Sequence, residues 1–256
     1  MADVTAGVRY ADLVDRTVLV TGGASGIGRA LVIAFAGQGA RVAFLDRDEA
    51  SAQGTIDACG PNPARFVACD LTDAGALGAA VAEAAQALGG PVRVLVNNAG
   101  NDDRHRTRDV TPAYFDDRVA VNLRHMLFAA QAVVNGMAAA GGGSIVNLGS
   151  IAWKMADGTC PIYVACKAAV HGLTRGLARE FGGQGIRVNT LLPGWVMTER
   201  QRALWVDDAA EAEIDRAQCL RGRLMPDDIA AMALFLASDQ ARMCTAQEFI
   251  VDGGWV

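Results

Sequence analysis

The stretch TVLVTGGASGIG, residues 17–28, decides the reading of the whole chain. Thr17 to Thr21 is a short β-branched run of the kind that forms a buried strand. A glycine cluster follows, and Ile27 to Gln38 then carries apolar residues three and four apart, as a helix does. Strand, glycine turn and helix in that order build a nest for phosphate. Gly22 can take the turn, Gly26 lets backbone approach a pyrophosphate, and Gly28 lets the helix pack closely on the strand. The free N–H groups at the start of the helix then receive negative charge. A glycine cluster alone also makes a plain tight turn. The flanking elements make Gly22, Ser25, Gly26, Ile27 and Gly28 the candidate dinucleotide-binding residues.

The same alternation continues to the end of the chain. Strands are predicted at Thr17 to Thr21, Arg41 to Asp46, Arg65 to Cys69, Val92 to Asn97, Ser144 to Leu148, Arg187 to Leu192 and Glu248 to Val251. Between them lie helical patterns such as Ile27 to Gln38, Asp73 to Leu88, Pro112 to Ala140, Ile162 to Phe181 and Asp227 to Ala237. This rhythm predicts an α/β fold: a seven-stranded, parallel, doubly wound sheet with helices on both faces. No linker or repeat interrupts it, so residues 1–256 read as one domain. The longest excursion, residues 194–222, follows the sixth strand. Ligands of open α/β sheets bind beyond the carboxyl ends of strands, so this segment is the expected substrate lid.

Composition narrows the function. With 52% hydrophobic residues, 20% charged residues and a net charge of −5, the chain can bury a large core and offers no basic stripe for nucleic acid. The segment Met1 to Tyr10 has no apolar run long enough for a secretory signal, and no stretch is long enough to span a membrane; both point to the cytoplasm. The six cysteines form no CxxC pair and the three histidines show no ligand spacing, so reduced thiols and no metal are expected.

Asp46 ends the second strand. A carboxylate there accepts hydrogen bonds from the adenosine ribose hydroxyls and repels a 2′-phosphate, which favours NAD over NADP. Arg47 beside it is the one residue that could answer such a phosphate. Ser150 ends the fifth strand, and Tyr163 and Lys167 stand four apart on one helical face. At the carboxyl ends of strands, beside a dinucleotide turn, they suit proton transfer from an alcohol. A phenol with a pKa near 10 is a poor base at neutral pH. Lowering it by about 3 units demands about 4 kcal/mol of preferential phenolate stabilisation, which the Lys167 ammonium and a nicotinamide cation could supply. Ser150 would hold the substrate oxygen.

TGGASGIG at 21–28, NNAG at 97–100, VN at 121–122, Ser150, YxxxK at 163–167 and Pro193-Gly194 together resemble the short-chain dehydrogenase/reductase family over essentially the whole chain. The resemblance implies a Rossmann fold and a catalytic set of Asn122, Ser150, Tyr163 and Lys167. It implies that Asn122 bends its helix and holds a water relayed to Lys167, and that Lys167 also grips the nicotinamide ribose. Asp70 and Leu71 would flank adenine, and Asn98, Ala99 and Gly100 would line the cofactor groove. Pro193, Gly194 and Val196 would also bind the cofactor, and Thr198 would meet the nicotinamide carboxamide or the pyrophosphate. The family also implies a homotetramer built on the helices 112–140 and 162–181.

The loop after NNAG, Asn101-Asp102-Asp103-Arg104-His105-Arg106, is rich in hydrogen-bonding groups, as a wall for a polyhydroxylated ligand would be. A solvated loop with paired charges reads the same way. Trp153, Trp195 and Trp205 fall near the expected mouth, where indoles either stack on a sugar face or pack a lid. NNAGNDDRH, VNLRHMLFAAQAV, AQCLRGRLMPDDIAAMALFLASD and CTAQEFIVDGGW resemble bacterial sugar 1-dehydrogenases of the family, of the D-xylose and L-arabinose kind. That implies NAD-dependent oxidation of an aldopentose or 6-deoxyhexose at C1 to the aldonolactone. Asn101, Asp103, Ser150, Trp153, Tyr163, Trp195 and Gln201 are the substrate-facing candidates. The competing readings are a 3-oxoacyl thioester or general ketone reductase, and a non-catalytic dinucleotide-binding member of the family.

Overall fold

The computed structural model describes residues 7–256; the first six residues of the N-terminal reading lie outside them. Seven strands, β1 (Thr17–Thr21), β2 (Arg41–Asp46), β3 (Arg65–Ala68), β4 (Val94–Asn97), β5 (Gly143–Leu148), β6 (Ile186–Pro193) and β7 (Glu248–Val251), form one sheet. Their order is β3-β2-β1-β4-β5-β6-β7, and every pairing is parallel. The order reverses between β1 and β4, the switch point where such sheets leave a crevice beyond the strand ends.

Side chains alternate along each strand between two cores. Val18, Val20, Phe44, Val96 and Val146 point to one face, against helices α1 (Gly26–Gly37), α2 (Glu49–Ala58) and, late in the chain, α9 (Pro226–Ala237). Leu19, Leu45, Leu95 and Ile145 point to the other, against α3 (Ala74–Ala87), α5 (His125–Ala139) and α6 (Pro161–Phe181). Both faces of the sheet are therefore dry, which is why the strands read as continuous apolar runs.

The structure differs from the sequence reading at several points. The helix predicted over Pro112 to Ala140 is broken: α4 (Pro112–Val119) passes through a π-turn at Ala120–Arg124 before α5 begins. There the Asn122 side chain donates to the Arg118 carbonyl at 2.9 Å, replacing a backbone bond of the ladder. Helix α2 had no visible pattern because it buries only Ala52 and Thr55; the Asp48 carboxylate caps its start. The excursion after β6 holds two short helices, α7 (Glu199–Leu204) and α8 (Asp208–Ala217). Strand ends move by one or two residues: β3 stops before Cys69, β4 starts after Val92, and β5 and β6 begin one residue early.

Candidate active site

A cleft of about 810 Å³ opens across the carboxyl ends of β1, β2, β4, β5 and β6. At its floor the turn after β1 leaves no room for side chains. A Cβ on Gly28 would lie 1.8 Å from the Gly22 carbonyl oxygen, and Gly22 itself holds φ +70. Asn98 fixes that turn by donating through Nδ2 to the carbonyls of Thr21 and Gly22 at 2.9 and 3.0 Å. Gly26, Ile27 and Gly28 open α1, so their N–H groups have no partner one turn earlier. Ser25 precedes them with an uncommitted hydroxyl at the helix start. Gly22, Ser25, Gly26, Ile27 and Gly28 of the expected turn all line the cleft.

Asp46 lines the same cleft and is aimed by backbone. One carboxylate oxygen accepts from Ala24 N at 2.9 Å, the other from Asp48 N at 3.1 Å. Farther along, Asp70 accepts from the backbone and hydroxyl of Thr72, and these bonds hold its carboxyl below its ordinary value. Leu71, Ala99, Gly100, Pro193, Gly194, Val196 and Thr198 complete the lining. The backbone cradle, the open helix end and the carboxylate at the end of β2 fit an extended dinucleotide: the pyrophosphate on Gly26 to Gly28, a ribose on Asp46, an adenine beside Asp70 and Leu71.

Ser150, Tyr163 and Lys167 converge at the centre of the cleft. Ser150 Oγ accepts from Ala152 N at 3.1 Å, and Ser150 stands close enough to the Tyr163 phenol to favour its ionised form. Lys167 is buried, and its Nζ donates to the Leu148 carbonyl at 2.8 Å. Asn122 locks onto Asn101, accepting from its N–H at 2.7 Å and donating to its carbonyl at 3.1 Å. Gly100 is the meeting point: a Cβ there would press on Asn122 Oδ1 at 3.2 Å and on Lys167 Nζ at 3.3 Å.

One electrostatic expectation is not met by the side chains alone. The phenol of Tyr163 is pushed up from its ordinary value, by burial first, with the Ser150 bond opposing. Lys167 Nζ lies 5.6 Å from the ring centre and is committed to Leu148; burial lowers its own pKa to about 8. A dry pocket penalises phenolate more than this ammonium favours it.

The substrate-facing candidates divide. Asn101, Ser150, Tyr163, Trp195 and Gln201 line the cleft. Asp103 does not: it turns toward α4, where its carboxylate accepts from the Tyr114 hydroxyl at 3.1 Å. Trp153 does not either; its ring packs under Lys154, whose Nζ lies 4.2 Å away and pairs with Glu248. Trp205 is likewise taken, by Arg104 at 4.2 Å. In their place stand Asp102 and Trp255, the latter tilted against Trp195 with centroids 6.4 Å apart. No sequence signal separated Asp102 from its neighbour. Trp255 comes from the chain end, which only the fold brings to the cleft. Among the described residues no group of His, Cys, Asp or Glu is placed to hold a metal ion, and no helix is long and apolar enough to cross a membrane.

Fold, cleft and residue set define a nucleotide-dependent oxidoreductase, and the chain belongs to the short-chain dehydrogenase/reductase family. The family model described as Enoyl-(Acyl carrier protein) reductase matches residues 22–256. The chain is 49% identical to a D-xylose 1-dehydrogenase of Caulobacter vibrioides, over 96% of its own length and 98% of that protein's. It is 47% identical to a protein of Rhizobium meliloti named a probable galactose dehydrogenase, over 96% and 97% of the two chains. A solved blue fluorescent protein from a metagenomic library, in complex with NADPH, superposes with a TM-score of 0.87 at 32% identity, covering 96% of this chain and 99% of that one.

Proposed function

We propose that this protein oxidises an aldopentose or 6-deoxyhexose at C1 to the aldonolactone, with NAD as electron acceptor. The observation that carries the reading is a Ser150–Tyr163–Lys167 cluster, its lysine buried, opening onto a wall of sugar-compatible groups, Asn101, Trp195 and Gln201. Supporting it, the D-xylose and galactose dehydrogenases named above are similar over nearly their full length.

Bound NAD would supply the carbon that accepts hydride and a positive charge beside the phenol. The chain's own residues handle the proton and the substrate. Ser150, whose oxygen accepts from Ala152 N, donates its hydroxyl hydrogen to the substrate oxygen. Tyr163 takes the anomeric hydroxyl proton. Lys167 and Asn122, both flanking Gly100, pass it toward solvent. Asp46, with both oxygens aimed by backbone N–H groups, favours a free ribose over a phosphorylated one.

The segment 194–222 acts in this reading as a lid, and the exposed Phe115 and Leu127 on α4 and α5 suit burial in a cytoplasmic homotetramer. The test is a panel of aldopentoses, 6-deoxyhexoses and simple alcohols with each cofactor, read at the reduced nicotinamide absorbance band. The expected result is NAD reduction with one or more sugars. A likeness to a solved 3-oxoacyl-[acyl-carrier protein] reductase from Brucella melitensis, 32% identical over 98% of this chain, favours one other reading, reduction of 3-oxoacyl thioesters. Turnover of 3-oxoacyl thioesters with NADPH and of no sugar would establish that one instead.

A further inference from the structure

The cleft contains a carboxylate that neither the motifs nor the proton chemistry uses. Asp102 follows β4, and its side chain is about one quarter exposed, at 23%. It is held by two residues ninety-eight and ninety-nine positions away: Arg200 pairs with Oδ1, and Gln201 Nε2 donates to Oδ2 at 2.7 Å. Gln201 in turn accepts from Trp195 Nε1 at 3.0 Å. The bonds run Trp195 to Gln201 to Asp102, with Arg200 alongside, and they tie the loop after β4 to the start of α7.

The chemistry of the group is specific. An ionised carboxylate only accepts hydrogen bonds, and its two oxygens offer about four lone-pair sites. Arg200 and Gln201 take one on each oxygen. The remaining sites lie on a residue that lines the cleft with Tyr163 and Trp195. A paired, pre-oriented carboxylate of this kind rewards a ligand carrying neighbouring hydroxyls. It penalises one whose carbons would strip its water without replacing the bonds.

We propose that Asp102 is the group that selects polyhydroxylated substrates: oriented by Arg200 and Gln201, it accepts hydrogen bonds from hydroxyls of the sugar remote from the oxidised carbon. The inference rests on the sugar reading above and adds the residue that enforces it. It also has an electrical consequence. The phenol of Tyr163 faces Ser150 at the end of β5, Lys167 on α6, Asp157 and Cys160 ahead of α6, and Asp102 from the loop after β4. The Asp102 charge is one of those that raise the phenol's pKa. Selectivity is thus obtained at some cost in the share of phenolate present at neutral pH.

The test compares wild type, Asp102→Asn and Arg200→Gln with an aldopentose and with cyclohexanol, which has one hydroxyl. For Asp102→Asn, kcat/KM with the aldopentose should fall about ten- to a hundredfold, mostly through KM. Activity with cyclohexanol should hold or rise, and NADH affinity measured by fluorescence should stay within about twofold. The acid limb of the kcat profile should move to lower pH, because a charge opposing phenolate has gone; a merely structural contact would leave that limb in place. Arg200→Gln keeps the carboxylate and loosens it, so it should show the same substrate ordering with a smaller loss. Unchanged aldopentose kinetics, or equal losses on both alcohols with an unmoved acid limb, would overturn the assignment of Asp102. A wild-type protein that reduces NAD with cyclohexanol but with no sugar would overturn the sugar reading itself, and with it the assignment.

Discussion

The two ends of the cleft are built by different means. At the cofactor end the contacts are to backbone: Asn98 bonds the carbonyls of Thr21 and Gly22, Asp46 accepts from Ala24 and Asp48, and Gly28 touches Gly22. At the substrate end side chain meets side chain, as Trp195, Gln201, Arg200 and Asp102 do between the loop after β4 and the start of α7, nearly a hundred residues apart. Backbone contacts demand particular residue types at fixed spacing, since only glycine or a short polar group fits. Side-chain networks can be built from many residues. The first end is therefore constrained to one ligand shape, and the second is free to vary with the substrate.

Four substitutions sharpen or break this contrast. The largest effect is expected where the ends meet. Tyr163→Phe removes the proton acceptor while keeping the ring, and kcat should fall at least about a hundredfold in steady-state assays. NADH affinity should be nearly unchanged, and a variant retaining most of its turnover would detach the phenol from the chemistry. Next comes Gly28→Ala at the cofactor end, where the added carbon meets a carbonyl oxygen and not a flexible side chain. Urea unfolding should show a loss of about 3 kcal/mol. A neutral result would mean that the turn is not rigid.

A pH test probes the seam behind the cleft, where α5 begins. His125 is fully buried, and desolvation, aided by the Lys167 charge, lowers its pKa from 6.5 to about 3. Between those pH values the unfolded chain binds a proton that the fold refuses, so stability falls as pH drops from about 6.5 toward 3. His125→Leu removes that contribution, and its urea midpoint should decline less steeply over the same range. The smallest effect belongs to Trp153. Because its ring packs under Lys154 outside the cleft, Trp153→Ala should change the sugar KM by less than about twofold. A large rise in KM would bring that indole back to the substrate wall.

The same contrast explains what could be read in advance. The seven strands were legible because both sheet faces are buried, giving unbroken apolar runs, and the glycine turn was legible because sterics leave no substitute. Helix α2 was not, since Ala52 and Thr55 are all it buries. Asn122, Ser150, Tyr163 and Lys167 could be named from local motifs, and the fold gathers them around Gly100 and the centre of the cleft. The choice between Asp102 and Asp103 could not be made locally. Adjacent residues of one loop point to opposite sides, and the deciding partners, Arg200 and Gln201 for one and Tyr114 for the other, lie elsewhere in the chain. The direction of the Tyr163 shift was equally hidden, because it depends first on how deeply the fold buries the phenol and on which carboxylates it brings near.

The most direct test follows one atom. An aldopentose carrying deuterium at C1 is incubated with the protein and NAD, and the reduced cofactor is examined by mass spectrometry. Oxidation at C1 requires the deuterium to appear in the nicotinamide ring while a lactone accumulates. Reduced cofactor free of deuterium, with the label kept in the sugar, would place the reaction at another carbon and contradict the account.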